Sequence, residues 1–374
     1  MSAGNVTELD PECYYVDDYH IVMRFWLNVI FGASLSFICI AFNTFVFAVF
    51  VTNPQHRNSP NLYMLLVALF DVFMGISFVA LLSFRVFFLW TASISMKYIW
   101  MQYMVPMLTV SQVAITASTY LICFAAIERY CTSVDNWLVA PLQKHRKIFA
   151  FMAVMCGVFA KGSSLLELKT ESREQCAGAF GEWAIAAGFL LQFEWYTKYF
   201  RFYFRNVFSI LAPFFILTYL NIRLIFRLYK QRQVARRIEH IAEKESVKQK
   251  KARILAVTRT LVIIVCTYLM SNLLGVVIAI WEFVDMDGLR TNFTALYVLS
   301  VDIISVMTII ASCLRLPIYA IVQPVLRAEM KTFIIQCWTK EKMSRRMTLI
   351  ENLQLSIPQT MLLQNQDSDV IEFV

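Results

Sequence analysis

The sequence predicts an all-α membrane protein: a bundle of seven transmembrane helices followed by a short amphipathic eighth helix. Two observations predict this fold class. The 374 residues are 59% hydrophobic and only 16% charged, whereas charged residues make up roughly 25% of ordinary soluble domains. Seven separate stretches are also apolar over the roughly 20 residues that a membrane-spanning helix needs. These stretches are Phe25–Val51, Leu62–Phe84, Ile99–Ala126, Ile148–Leu166, Asn206–Leu228, Ile254–Trp281 and Ala295–Val322.

The polar segments between the spans are too short for a second folded domain. The predicted organisation is therefore an N-terminal arm (1–24), a seven-helix domain (25–322), and an eighth helix with a tail (323–374). The arm is polar and acidic, so no cleavable signal peptide is predicted. Trp183–Phe193 is apolar but too short to span a bilayer, which favours a hairpin or lid over the mouth of the bundle.

The distribution of basic residues predicts the orientation of the chain. Roughly two thirds of the 34 Lys and Arg residues lie on the same side as the C-terminus, the side that the positive-inside rule assigns to the cytoplasm. The two N-x-S/T sequons, at Asn5 and Asn292, then lie outside and are the predicted glycosylation sites. We therefore expect a multi-pass protein of the plasma membrane with an extracellular N-terminus and a cytoplasmic C-terminus.

The nine cysteines sort by the same topology. Only Cys13, in the arm, and Cys176, between the fourth and fifth spans, face the oxidising side, which predicts a disulfide between them. Two unrelated thiols are the alternative. Cys337, near the end of the amphipathic segment Val325–Trp338, is a candidate for palmitoylation, with a free thiol as its alternative.

A set of short motifs carries a family resemblance. In chain order they are Asn43 in the first span, Val67-Ala68 and Asp71 in the second, Glu128-Arg129-Tyr130 at the end of the third, Pro213 in the fifth and Leu316-Pro317-Ile318-Tyr319 in the seventh. In this order and on these spans, they resemble the rhodopsin-like (class A) G-protein-coupled receptors. The motif Tyr219-Leu220-Asn221, below Pro213, resembles the corresponding segment of invertebrate and nematode FMRFamide-like neuropeptide receptors.

The resemblance implies a receptor that transmits ligand binding to a heterotrimeric G protein. Its switch would consist of Glu128, Arg129, Tyr130 and Tyr319. At rest Arg129 would pair with Glu128, and in the active state it would pack under the C-terminal helix of the G protein. The alternative is that these are two interfacial charges solvated by lipid headgroups. Arrestin is a further candidate partner.

Ionisable side chains inside the spans are costly and mark function. Asp71, Arg315 and Asp302 are the three that stand out. The resemblance implies that Asp71 and Arg315 meet in the core, near Asn43, where family members bind a sodium ion. The guanidinium of Arg315 would then occupy the cation site itself. The alternative is that Arg315 extends to the inner membrane interface.

Several positions depart from the family pattern. Met104 stands where the family has its third-helix cysteine, which makes the Cys13–Cys176 bond a substitute for the usual disulfide. The sixth span reads Cys266-Thr267-Tyr268-Leu269 where the family has Cys-Trp-x-Pro. Ile309 occupies the position of the retinal lysine. These differences argue against aminergic receptors and opsins.

The outer ends of the spans supply candidate ligand contacts, namely Arg85, Ser111, Gln112, Glu282 and Asp302. The acidic arm, together with Glu282 and Asp302, would attract a cationic peptide terminus such as an Arg-Phe-amide. We therefore predict a receptor for an amidated neuropeptide. A chemosensory receptor for small molecules is the alternative.

Other function classes find less support. All four histidines lie in loops or arms, so no metal site is predicted within the spans. Neither a P-loop nor a nucleophile elbow is present, so no enzyme activity, cofactor or nucleic-acid partner is predicted. A membrane transporter or channel is the alternative of another class, although paired halves with broken helices are not evident.

The basic inner segments predict contact with anionic membrane lipids, and the terminal Glu372-Phe373-Val374 is a candidate ligand for a PDZ domain.

Overall fold

The computed structural model describes Cys13, residues 20–57, Ser59 and residues 61–134, 137–238 and 245–339. The chain forms two compact units, Met1–Gln323 and Pro324–Val374.

Seven long apolar helices build the first unit, which confirms the predicted all-α seven-helix fold. They are α1 (Ile21–Thr52), α2 (Asn61–Trp90), α3 (Ile94–Val134), α4 (Arg146–Glu167), α5 (Tyr196–Lys230), α6 (Leu255–Val284) and α7 (Thr294–Val322). Helical structure continues beyond two of these spans, to Ile238 after α5 and from Glu245 before α6. In the second unit, residues 324–339 form helix α8.

Shorter elements connect or interrupt the long helices. Short helices cover Pro54–Arg57, Val139–Lys144 and Met286–Thr291, and single 3₁₀ turns cover Glu174–Cys176 and Phe189–Gln192. Segments with π-helical hydrogen bonding lie within the long helices at Phe25–Gly32, Val79–Ser83, Tyr196–Phe204 and Val207–Leu211. The helix over Tyr196–Phe204 corrects the predicted start of the fifth span at Asn206, because a helix can continue through charged residues that end an apolar window.

Helix α3 lies at the centre of the bundle, in contact with α2, α4, α5 and α6. Its contact with α4 is close because α4 presents small residues there: Ala150, Ala153, Gly157 and Ala160 are buried. A Cβ at Gly157 would lie 2.8 Å from the carbonyl oxygen of Val113. Small residues let helices in a membrane approach closely enough for their backbones to pack.

A β-hairpin connects α4 to α5. Strand β1 (Leu168–Ser172) pairs antiparallel with β2 (Trp183–Ala187), with Thr170 opposite Ile185, which confirms the hairpin predicted around Trp183–Phe193. The end of the bundle at which α1 begins and the hairpin lies is called the N-terminal face below, and the opposite end is called the C-terminal face.

The N-terminal arm is tied to this hairpin. Cys13 and Cys176 form the predicted disulfide, and the backbone N–H of Gly181 donates to the carbonyl oxygen of Cys13 at 3.0 Å. The bond closes a loop that spans α1 to α4, so it constrains the arm relative to the whole first half of the bundle.

Candidate functional site

A buried ion pair joins α2 to α7 inside the bundle. Arg315 Nη1 donates to Asp71 Oδ2, and the two side chains are 6% and 0% exposed. Asn43 of α1 is buried close by, where its Nδ2 donates to the carbonyl oxygens of Cys39 at 2.9 Å and Ser312 at 3.3 Å. The structure therefore brings Asp71 and Arg315 together, with Asn43 linking α1 to α7 beside them.

The backbone of α7 is interrupted where Arg315 enters the core. The helix ends at Cys313 and resumes at Arg315, with Leu314 between the two segments. Pro317 has no N–H with which to bond the carbonyl of Cys313, so the regular hydrogen bonding fails at this turn. Arg315 is buried against Asp71 rather than extended to the membrane interface, which is the arrangement that the resemblance implied.

The Glu128 carboxylate pairs with Arg146 of α4, which corrects the predicted resting pair of Glu128 with Arg129. Arg146 Nη2 lies 2.6 Å from Glu128 Oε1, and Arg146 Nε lies 3.0 Å from both carboxylate oxygens. The Glu128 side chain is only 1% exposed. Consecutive residues on a helix point in different directions, whereas the close packing of α4 on α3 brings Arg146 directly to Glu128.

Arg129 lines a cavity at the C-terminal face. The other lining residues are Asn61, Met64, Ala125, Val257, Thr260, Leu261, Ile264, Tyr319 and Gln323. Among these described residues, Arg129 alone carries a formal charge. Tyr319 is 2% exposed, whereas the Tyr130 hydroxyl accepts from Arg223 Nη2 at 3.5 Å on the exposed side of the bundle. Of the four predicted switch residues, Arg129 and Tyr319 therefore line the cavity, whereas Glu128 and Tyr130 lie elsewhere.

Asp302 at the N-terminal face forms a buried ion pair with Arg24, while its role as a ligand contact stays a prediction. Its Oδ2 lies 2.6 Å from Arg24 Nε, and both side chains are 2% exposed. The apolar window that begins at Phe25 predicts Arg24 to lie in the arm, but helix α1 begins at Ile21 and carries Arg24 into the bundle. The ion pair links the first turn of α1 to α7 and balances the charge of Asp302.

The other predicted ligand contacts are spread over three helices. Glu282 of α6 is half-buried and accepts a 2.8 Å hydrogen bond from the Tyr297 hydroxyl. On α3, Ser111 is buried and Gln112 is half-buried, while Arg85 near the end of α2 is exposed. Glu282 is thus the acidic candidate that has no ion-pair partner among the contacts described.

A cluster around Glu167, at the end of α4, was missed by sequence reasoning. Arg205 Nη1 lies 2.6 Å and Arg201 Nε 3.3 Å from the Glu167 carboxylate, and the Tyr196 hydroxyl donates to it at 2.7 Å. The available signal was the pair of arginines four residues apart just before the predicted fifth span. The apolar window begins only at Asn206, so it predicts that both arginines lie in a loop.

The chain from residue 42 to 318 matches the family model of the 7 transmembrane receptor (rhodopsin family). The matched residues include at least part of each of the seven helices and most of the chain. The protein belongs to the rhodopsin family of G-protein-coupled receptors. It is accordingly a multi-pass membrane receptor that signals from an extracellular ligand to a heterotrimeric G protein, and not an enzyme. No curated protein sequence matches this chain.

The hairpin of this rhodopsin-family receptor is attached to α3 without a disulfide there. Met104, at the position where the family has its third-helix cysteine, is buried in an apolar cluster. Lys97 Nζ donates to the carbonyl oxygen of Phe180 at 2.6 Å, and the Tyr98 ring contacts that of Trp183 at 5.1 Å between centroids. These contacts hold the hairpin against α3, while the Cys13–Cys176 bond holds it to the arm.

The predicted modification sites lie at the surface where they are described. Asn292 is exposed at the end of the short helix before α7, and Cys337 is exposed on α8. Asn5 lies outside the described residues.

The Glu128–Arg146 pair predicts an asymmetric response to mutation in this receptor. Arg146→Gln should lower stability by about 3 kcal/mol, because it leaves the buried Glu128 carboxylate without its cation. Glu128→Gln should cost only about 1 kcal/mol, since Arg146 is 13% exposed and can regain water. Surface level and thermal unfolding of the solubilised receptor measure both effects.

Lys147→Gln serves as the matched control, because Lys147 is an exposed neighbour on the same turn. The double change Glu128→Gln with Arg146→Gln should recover most of the loss. Equal losses for the two single variants would contradict the pairing.

Proposed function

We propose that this receptor responds to an amidated neuropeptide, which binds at the N-terminal face, and that this face lies outside the plasma membrane. The observation that carries the proposal is the hairpin β1–β2, which is fixed to the arm by Cys13–Cys176 and to α3 by Lys97. A small two-stranded sheet has two edges with unpaired backbone groups, and an extended peptide can pair with such an edge.

Charge supports a peptide with a cationic terminus. The arm carries Glu8, Asp10, Glu12, Asp17 and Asp18, which lie outside the described residues. Glu282 adds a carboxylate at the same face, while Asp302 contributes no net charge because Arg24 neutralises it. Charges of this sign raise the association rate of a cationic ligand.

The orientation rests on the bias of basic residues toward the C-terminal face. The helical extensions to Ile238 and from Glu245 are strongly basic in sequence, which favours a cytoplasmic location for that face. An epitope tag at the N-terminus should therefore bind antibody on intact cells.

A screen of amidated peptides against the expressed receptor tests the ligand class. We expect at least one peptide ending in Arg-Phe-amide to activate a co-expressed G protein, measured by subunit dissociation. The free-acid form of the same peptide should be at least about tenfold weaker, because it adds a negative charge opposite Glu282 and the acidic arm.

Cells without the receptor provide the control. No response to any amidated peptide, together with a response to small volatile molecules, would overturn the neuropeptide proposal in favour of a chemosensory receptor.

A further inference from the structure

Polar side chains of α4 and α5 meet near the N-terminal face. On α5, four polar residues follow one another at intervals of four, a spacing that places side chains on one face of a helix. They are Thr197, Arg201, Arg205 and Ser209. From α4, Glu167 and Ser164 contact this stripe, and Lys161 lies within electrostatic range of both Arg205 and Glu167. This group of residues is called the α4–α5 cluster.

The single carboxylate of the cluster is fully engaged. Glu167 Oε1 accepts from Arg205 Nη1 at 2.6 Å and from the Tyr196 hydroxyl at 2.7 Å, while Oε2 lies 3.3 Å from Arg201 Nε. The Glu167 side chain is 3% exposed. Glu167 therefore positions the two guanidinium groups, which leaves their outer N–H groups as donors to another acceptor.

The cluster carries an excess of positive charge. Arg201 and Arg205 contact the Glu167 carboxylate and Lys161 lies within its electrostatic range, so three formal positive charges accompany one negative charge. No hydrogen bond or ion pair to the Lys161 ammonium occurs within the part of the chain that the structure describes. Uncompensated charge inside a membrane-embedded bundle is costly unless an anion accompanies it.

Unused hydroxyl groups lie at both ends of the stripe. Thr197 Oγ1 and Ser209 Oγ are buried and, among the described residues, have no hydrogen-bond partner. A hydroxyl can donate to an anion by rotating its proton. Buried polar groups are ordinarily satisfied, so these two hydroxyls, like Lys161, indicate a missing acceptor.

We propose that the α4–α5 cluster binds a carboxylate group of the activating ligand. This inference rests on the proposed function and specifies its ligand class: the amidated peptide carries an acidic side chain, whose carboxylate pairs with Lys161 and Arg205 and accepts from Ser209. The peptide is thus bipolar, with its cationic amidated end toward Glu282 and the arm. A charge-assisted pair in such a place is stronger than a neutral hydrogen bond.

Matched peptides test this assignment. The probes are synthetic amidated peptides that end in Arg-Phe-amide, in pairs that differ only by Glu or Gln at one upstream position. For the activating sequences, the Glu peptide should act at about tenfold lower concentration than the Gln peptide, which corresponds to one charge-assisted contact. Lys161→Met should abolish this difference, whereas Lys161→Arg should keep it.

Lys198→Met is the matched control, because Lys198 is exposed on α5 and its ammonium lies over the Tyr199 ring. It should leave the Glu/Gln ratio unchanged. Ser209→Ala provides a second variant that removes no charge, and it should reduce the ratio in part. Receptor levels at the surface are measured for every variant.

The outcomes separate the two proposals. If no amidated peptide activates the receptor, the proposed function fails. If peptides activate it but no Glu/Gln pair differs, or the ratio persists in Lys161→Met, the function stands and the carboxylate assignment is overturned. Loss of surface receptor in Lys161→Met without any Glu/Gln preference in the unmodified receptor would give Lys161 a structural role and likewise overturn the assignment.

Discussion

Asp71→Asn should remove most of the folded receptor from the cell surface, and Arg315→Gln should do the same. Each change leaves one charge buried without its partner, and breaking a buried pair in this way costs about 3–5 kcal/mol. That cost is a large part of the total stability of an ordinary protein. Surface labelling and thermal unfolding of the solubilised receptor measure the loss.

The double change Asp71→Asn with Arg315→Gln should recover part of the surface level, because neither charge then remains. A double-mutant cycle isolates the coupling between the two residues. Lys169→Ala is the matched control, because its ion pair with Glu171 lies on the exposed hairpin and exposed pairs contribute little. Additive losses in the double variant would show that the Asp71–Arg315 pair does not stabilise the receptor.

The Asp71–Arg315 pair also predicts that the stability of the receptor does not depend on sodium ions. Because the Asp71 carboxylate is already paired with the Arg315 guanidinium, replacing sodium chloride by choline chloride at constant ionic strength should leave the unfolding temperature unchanged. Stabilisation of the unmodified receptor by sodium would contradict the replacement of the ion by arginine.

Arg129→Ala should strongly reduce G-protein activation while leaving surface expression nearly intact. Arg129 is the charged residue among the described residues that line the cavity at the C-terminal face. Its guanidinium offers five donors in a planar arrangement. Truncation of an arginine at the centre of an interface typically costs about 2 kcal/mol or more, so agonist-stimulated G-protein activation should fall at least about tenfold.

Arg129→Lys distinguishes charge from geometry, because lysine keeps the positive charge but not the planar set of donors. It should retain only part of the activity. Asn61→Ala, at a neutral lining position, is the control for changes in cavity shape and should signal more strongly than Arg129→Ala. Normal signalling by Arg129→Ala would exclude Arg129 as the switch.

Local sequence patterns determined the seven spans, because a helix in a bilayer must present about 20 apolar residues whatever its neighbours are. The same kind of reasoning found the Cys13–Cys176 disulfide, since only two cysteines lie on one side of the predicted topology. Asp71 and Arg315 are also evident from the sequence, because few charged residues occur within apolar spans. These properties depend on which residues occur in each segment of the chain, so the sequence alone is enough to predict them.

Tertiary structure alone decided which charges pair. Glu128 and Arg129 are neighbours in sequence, yet Glu128 meets Arg146, because a helix turns consecutive side chains apart and the small residues of α4 bring that helix close to α3. Asp302 meets Arg24 only because α1 begins before the apolar window does. Glu167 gathers Arg201 and Arg205 because helical structure extends through a charged aromatic segment. Charge pairs are set by the relative positions of helices distant in sequence, and the pattern along one chain does not encode those positions directly.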